Sequence, residues 1–260
     1  GAWNSSTTSP SERPEGAAGT VAALIEVFAD DTLAYAAAAL VPGDSVRKVI
    51  VTNTVEPQSE PDFDSLAGIK ASPEDISLLQ HSSGTTGLQK GVALSHKAVL
   101  NQLDAYSKAI NLDPEKDVIV SWLPLYHDMG LVGFCLAPMM GQVSVDYIST
   151  PSFARRPALW LRLMSENRST VSFSPSFGYD LAARRINGEA VTLDLSNWRA
   201  AGIGGDMVRA DVLKQFSDTL SISGFDQNAF MPSYGMAEST LAVSFSDVSQ
   251  PIRIDTIDKL

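Results

Sequence analysis

The sequence is poor in the residues that build cross-links and metal cages. One cysteine, Cys135, among 260 residues excludes an intrachain disulfide, and its apolar neighbours make it read as a small buried hydrophobe. Three histidines, His81, His96 and His127, stand at no spacing that forms a zinc cluster with it. Positive charge is scarce as well: 19 Lys and Arg face 30 Asp and Glu, for a net charge of −11. Such a surface repels phosphate backbones, so nucleic acid is not expected as a partner. Long apolar runs are missing too. The longest uncharged stretch, Met129 to Val145, is broken by Gly130, Gly133, Pro138 and Gly141, and predicts a buried helix and strand in place of a membrane span. No basic head followed by an apolar run stands near the N-terminus, and the thiol count suits a reducing compartment. The expected location is therefore cytoplasmic.

What is present is an alternation. Residues 1–19 are Ser, Thr, Pro, Gly and Ala with little hydrophobicity and read as a flexible tail. Thr20 to Val41 is rich in Ala and Leu and predicts a helix, stopped at Pro42-Gly43-Asp44. Arg47–Thr52 and Ile76–Gln80 read as strands, separated by an acidic, Pro-containing loop from Glu56 to Asp64. Beyond them, helical stretches at Lys97–Ile110, Pro157–Asn167, Phe177–Ile186 and Arg209–Phe216 alternate with strand-like ones. The strands are expected at Val118–Trp122, Val143–Ile148, Thr170–Phe173 and Arg199–Ile203. Ser95 is a plausible N-cap and Pro157 a plausible first-turn proline. This pattern predicts an α/β fold with a mixed, largely parallel sheet flanked by helices.

The sharpest local feature is Ser82-Ser83-Gly84-Thr85-Thr86-Gly87-Leu88-Gln89-Lys90-Gly91, between a strand ending near His81 and a short strand at Val92–Leu94. Its glycines let the backbone turn tightly and present N–H groups to an anion, its hydroxyls add donors, and Lys90 adds a point charge. Those parts suit a polyphosphate. A Walker A loop is excluded: Gln89 precedes the lysine where glycine belongs, Gly91 follows it with no hydroxyl, and the loop runs into a strand. Gly202-Ile203-Gly204-Gly205 fails the dinucleotide fingerprint, because Met207 stands where its last glycine belongs.

The loop resembles the phosphate-binding signature of the adenylate-forming superfamily, T-S-G-S/T-T-G-x-P-K-G, with Ser82 for Thr and Gln89 for Pro. Further segments follow in family order. Trp122-Leu123-Pro124-Leu125-Tyr126-His127-Asp128-Met129-Gly130-Leu131-Val132-Gly133 is similar to the W-L-P-L-[FY]-H-D-M-G-L-[VI]-G segment of fatty acyl-AMP ligases. Ser174-Pro175-Ser176-Phe177-Gly178-Tyr179-Asp180-Leu181 resembles G-P-N-F-A-Y-D-L, departing at Ser174 and Ser176. Gly204, Gly205 and Asp206 align with the G-A-E of N-G-A-E-P-V, the weakest of the matches. Tyr234-Gly235-Met236-Ala237-Glu238-Ser239-Thr240 resembles Y-G-x-[AT]-E-[AST]-T.

The resemblance implies ATP and Mg²⁺ as cofactors and a fatty acid as substrate, with acyl carrier protein or CoA as acceptor. It places ATP or AMP against Ser82, Ser83, Gly84, Thr85, Thr86, Gly87 and Lys90, against Gly204, Gly205 and Asp206, and against Tyr234, Gly235, Met236 and Ala237. The acyl pocket falls to His127, Asp128, Met129, Ser174, Phe177 and Tyr179, and the magnesium to Glu238. Thr85, Thr86, Lys90, His127 and Glu238 are the catalytic candidates. Without the family, His127 reads as a satisfied core histidine braced by Asp128, and Phe177 and Tyr179 as core aromatics. The implied domain is a partial AMP-binding N-terminal domain over 20–260, with its motif-bearing core at 77–245. The family's T-G-D ribose clamp and C-terminal lobe do not occur in the sequence. Weak nucleotide binding, little turnover and self-association through exposed core surface are expected of the chain alone. An acyl-CoA ligase, a peptide-synthetase adenylation domain and a non-catalytic nucleotide- or acyl-binding module remain alternatives.

Overall fold

The structure, a computed structural model, describes residues 70–82, 90–186, 188–248 and 250–255, and the strands 26–29 and 48–51; residues 26–29, 48–51, 81, 82 and 90 are described as backbone only. The chain divides into a unit of Gly1–Ser72 and a unit of Pro73–Leu260. In the first, β1 (Glu26–Ala29) pairs in parallel with β2 (Lys48–Val51). The strand at 48–51 meets the expectation. The strand at 26–29 corrects the helix expected over Thr20–Val41: a parallel partner outweighs the helix propensity of the neighbouring alanines, and Val27 and Phe28 suit a sheet. The expected tail, the rest of that helix and the acidic loop lie outside the described residues.

The second unit begins with an antiparallel hairpin, β3 (Ile76–Ser82) and β4 (Lys90–Ser95), closed at the Ser82–Lys90 pair. Helix α1 (His96–Ala109) follows at once, because the Ser95 hydroxyl accepts the Ala98 amide at 3.2 Å, as its N-cap reading requires. The main sheet then builds from β5 (Val118–Ser121), β6 (Ser144–Tyr147), β7 (Val171–Ser174), β8 (Ala200–Ile203), β9 (Phe230–Gly235) and β10 (Ala242–Phe245). Its order is β10-β9-β8-β7-β5-β6, and every pairing is parallel except β9 with β10. The fold is α/β with a mixed, largely parallel sheet.

Strand β7 shows why both faces are covered. Alternate side chains leave a strand on opposite sides. Phe173 meets the rings of Tyr106 (6.2 Å) and Phe134 (5.3 Å) on the side of α1 and a π-helix, Met129–Leu136. Ser172, on the other side, accepts the Trp160 indole N–H at 2.8 Å from helix α4 (Ala158–Glu166). That layer also holds α5 (Ser176–Arg185) and α6 (Ala210–Leu220). Between the π-helix and α4 lie the short helices α2 (Ala137–Gly141) and α3 (Thr150–Arg155). Cys135, on the π-helix, is half-buried, less enclosed than its apolar surroundings suggest.

Tyr179 and Tyr106 are both sealed in this core, but their hydroxyls differ. Tyr179 donates to the Gly202 carbonyl at 2.9 Å, whereas the Tyr106 hydroxyl is buried without a partner. Burial pushes both phenols above their ordinary pKa. Tyr179→Phe is expected to destabilise by about 1 kcal/mol, and Tyr106→Phe to be neutral or stabilising by a similar amount. Urea titration followed by tryptophan fluorescence reads both, and equal signs for the two changes would contradict this assignment.

Candidate functional site

In a parallel sheet the loops that leave the strand C-termini share one edge, and ligands of open α/β sheets bind there. The parallel strands β5, β7, β8 and β9 deliver to that edge Trp122–Asp128, Pro175-Ser176-Phe177, Gly204–Asp206 and Tyr234–Glu238. The topology thus brings together every family-like segment after the phosphate loop.

The first loop is folded tightly. A Cβ on Gly130 would stand 2.2 Å from the Pro124 carbonyl oxygen, so only glycine lets the π-helix begin against this turn. Asp128 caps that helix, accepting the Met129 amide at 2.6 Å, and lies 2.7 Å from His127 Nδ1. The Met129 amide is also 3.2 Å from His127 Nδ1, so imidazole, carboxylate and helix N-terminus form one cluster. The hydrogen bond to Asp128 raises the His127 pKa, against an opposing effect of burial. The imidazole is exposed, not a satisfied core histidine, and it is braced by Asp128 as its neighbourhood in sequence suggests.

The second and third loops interlock. Gly205 adopts φ +80°, a conformation that favours glycine, and a Cβ there would lie 3.4 Å from Met129 Cε and 3.9 Å from Pro175 Cγ. Asp206 Oδ1 accepts the Ser176 amide at 3.0 Å. The Ser176 hydroxyl donates to the Met207 carbonyl at 2.8 Å and accepts the Arg209 amide at 3.3 Å. Phe177 stands half-exposed with its ring edge toward Trp122 at 5.7 Å. Ser174 and Tyr179 do not reach this edge: Ser174 is buried with its hydroxyl on the Pro175 carbonyl, and Tyr179 is packed by Trp160, Trp198, Phe216 and Phe230. Tyr179 therefore fits the core-aromatic reading, and Phe177 departs from it.

In the fourth loop Tyr234 is 60% exposed, which leaves a ring face available for stacking, and Met236 is exposed beside it. Ala237 is buried, and Glu238 is exposed on a short turn, Ala237–Ser239. Both strands of the β3–β4 hairpin approach that turn. The hairpin also touches the first loop, through Gln80 Nε2 and the Tyr126 carbonyl at 3.5 Å. Ser82 and Lys90 close the hairpin as its last paired residues. Ser83, Gly84, Thr85, Thr86 and Gly87 lie outside the described residues, as do the side chains of Ser82 and Lys90. Among the described residues no group of three His, Cys, Asp or Glu side chains gathers as a metal cage. An exposed single carboxylate such as Glu238 suits an ion that keeps most of its shell as water and phosphate oxygen, the habit of magnesium.

Sequence reasoning placed Ser176 and Thr240 inside family-like segments and Gln80 at the end of a strand, without naming any of them as a site residue. Ser176 carried a signal, since it departs from the family's Asn. Thr240 has φ +72°, rare for a β-branched residue, and no composition rule announces it.

The profile of the AMP-binding enzyme family matches residues 17–259. A Caulobacter vibrioides protein provisionally named acyl-CoA synthetase is 46% identical over 187 residues, covering 72% of this chain and 33% of that protein. A medium-chain-fatty-acid–[acyl-carrier-protein] ligase of Teredinibacter turnerae is 36% identical over 207 residues, covering 79% and 32%. A structure from work on fatty acyl-adenylate ligases from E. coli and L. pneumophila has a TM-score of 0.71 at 42% identity, covering 85% of this chain and 40% of its own. The chain thus spans about a third of the length of these curated relatives. It belongs to the AMP-binding, adenylate-forming enzyme family.

Proposed function

We propose that this chain contributes to ATP-dependent activation of a fatty acid: a carboxylate oxygen attacks the α-phosphorus, the bond to the β-phosphate bridge breaks, and acyl-AMP and pyrophosphate form. The observation that supports this reading is the gathering of the His127-Asp128, Ser176-Phe177, Gly204–Asp206 and Tyr234–Glu238 segments at one sheet edge beside the β3–β4 hairpin. No protein nucleophile is required, so positioning and charge carry the chemistry. Ser83, Thr85, Thr86 and Lys90 hold the leaving pyrophosphate, Tyr234 stacks on adenine, Gly235 lets the backbone approach the nucleotide, and His127 and Phe177 border the acyl entrance. Glu238 would hold magnesium, which would offset phosphate charge there.

A fatty acid with acyl-AMP as the released product fits the Trp122–Gly133 segment best. Acyl-CoA formation is the second reading, supported by the name of the Caulobacter relative. Hydroxylamine trapping of the acyl-AMP, with and without CoA, separates the two. For the 260-residue chain, ATP–pyrophosphate exchange is expected near background, while a non-hydrolysable decanoyl-adenylate analogue still binds and binds at least tenfold less tightly in Tyr234→Ala. Vigorous exchange overturns the reading of a weakly active chain, and equal binding by Tyr234→Ala overturns the placement of adenine.

A further inference from the structure

We propose that Ser176 and Asp206 are positioning residues that couple the acyl and nucleotide halves of the site; this rests on the adenylation reading above. Helix α5 opens without a cap of its own, since its N-cap residue is Pro175, whose side chain offers no acceptor. The missing acceptor comes from another element. Asp206 Oδ1 takes the Ser176 amide at 3.0 Å, so the carboxylate is spent on the helix N-terminus, where a negative charge is most favourable. Ser176, 1% exposed, then bonds the same loop twice through its hydroxyl, to the Met207 carbonyl at 2.8 Å and from the Arg209 amide at 3.3 Å. One residue of the helix thus fastens the whole turn that follows β8.

The same turn is fixed on its other flank. Ser233 donates its hydroxyl to the Ile203 carbonyl at 3.1 Å, and a Cβ on Gly204 would lie 2.6 Å from that hydroxyl. The residue after Ser176 is Phe177, at the acyl entrance, and the residue after Ser233 is Tyr234, the adenine platform. The turn Gly204–Arg209 is therefore a rigid bridge between the two. A fatty acid seated against Phe177 orders the bridge and with it Tyr234, and adenine stacking does the reverse by linkage. Asp206 acts through Ser176 and not on the nucleotide.

The test measures linkage, not turnover. The affinity for α,β-methylene-ATP is determined with no fatty acid and with saturating decanoate, by fluorescence titration of the whole chain. The parent is expected to bind the nucleotide about fivefold more tightly in decanoate. Ser176→Ala is expected to bring that ratio below about twofold, with each ligand's separate affinity changed less than that. Asp206 is exposed, so Asp206→Ala cuts the same bridge without a buried change and is expected to act alike. Ser172→Ala serves as the structural control, because it also removes buried hydroxyl bonds, to the Trp160 indole and the Val120 carbonyl, away from the bridge. It is expected to lower stability and keep the ratio. Full coupling in both Ser176→Ala and Asp206→Ala, or its loss in Ser172→Ala, overturns the proposal. A parent that binds neither ligand overturns the adenylation reading along with it.

Discussion

Arg199→Ala is expected to cost about 3 kcal/mol of stability although it lies far from the site. Arg199 reaches from the start of β8 to the buried Asp117 at the start of β5, with Nε 2.9 Å from one carboxylate oxygen and Nη2 on the other. The guanidinium also donates to the Ile110 carbonyl at 2.8 Å and the Asn111 carbonyl at 2.9 Å, which closes the end of α1. Asp117 in turn accepts Thr170 Oγ1 at 2.7 Å and the Asp113 amide at 2.8 Å. Removing the arginine leaves a carboxylate of 1% side-chain exposure without its counter-charge and leaves two carbonyls short of donors. The low end of the range for a broken buried pair applies, because Arg199 itself is 34% exposed and water enters in its place.

The sign of its pH dependence follows from the carboxyl. Burial alone raises the Asp117 pKa, but the hydrogen bonds from Arg199, Asp113 and Thr170 outweigh it and hold it below the ordinary carboxylate value. A depressed folded pKa contributes stability that is present above the unfolded value of about 3.9 and is lost as pH falls through the folded one. Without Arg199 its hydrogen bonds and charge no longer lower the folded pKa, so the variant has less carboxylate stabilisation to lose on acidification. The gap between parent and variant is therefore expected to narrow below about pH 4. The double change Arg199→Met with Asp117→Leu is expected to recover much of the loss at neutral pH. Urea unfolding at several pH values reads both trends, and a gap that is constant with pH would show that Asp117 is not the cause.

Much of this arrangement is legible in the sequence, and the misses have causes. Strands β5, β7 and β8 were expected within a residue of where they lie, because each is a short uncharged run of small, β-branched or aromatic residues between helical stretches. Helix α6 runs on to Leu220, past the expected end at Phe216, since Thr219 and Leu220 continue the apolar stripe with no breaker. Strand β9 was not expected, because Met231-Pro232-Ser233-Tyr234-Gly235 has the proline and glycine of a turn. It is tolerated because pairing with β10 covers only Ser233 to Gly235, while Pro232 contributes its carbonyl to the Ser246 amide at 2.9 Å. Of the site, the segments and the local His127–Asp128 brace were readable, and the bracing between segments was not. Hydrogen bonds such as Ser176 to Asp206 join residues 30 apart, and no local pattern encodes such a distance.

Gly235→Ala is expected to separate the site from the fold. A Cβ at Gly235 would stand 1.8 Å from the Leu241 carbonyl oxygen and 2.8 Å from its carbon, and both are backbone atoms that no rotamer change can move. Gly235 pairs with Ala242, and the Met236 amide donates to Leu241 at 2.9 Å, so the whole turn Met236–Leu241 closes against this point. The strain has one cheap outlet. Strand β10 is at the sheet edge, so β10 and the turn swing outward while β5, β7 and β8 stay packed. The stability loss is expected to be about 1–3 kcal/mol, yet binding of a decanoyl-adenylate analogue is expected to fall at least tenfold, because the turn carries Glu238 and adjoins Tyr234. Thr240→Gly is the contrasting change on the same turn. Its φ of +72° and ψ of −48° cost a β-branched residue about 1–3 kcal/mol, which glycine does not incur. That relief offsets the loss of a buried threonine side chain, so Thr240→Gly is expected to keep stability within about 1 kcal/mol of the parent. Analogue affinity read beside the unfolding midpoint distinguishes the two variants, and retained binding in Gly235→Ala would remove this turn from the nucleotide site.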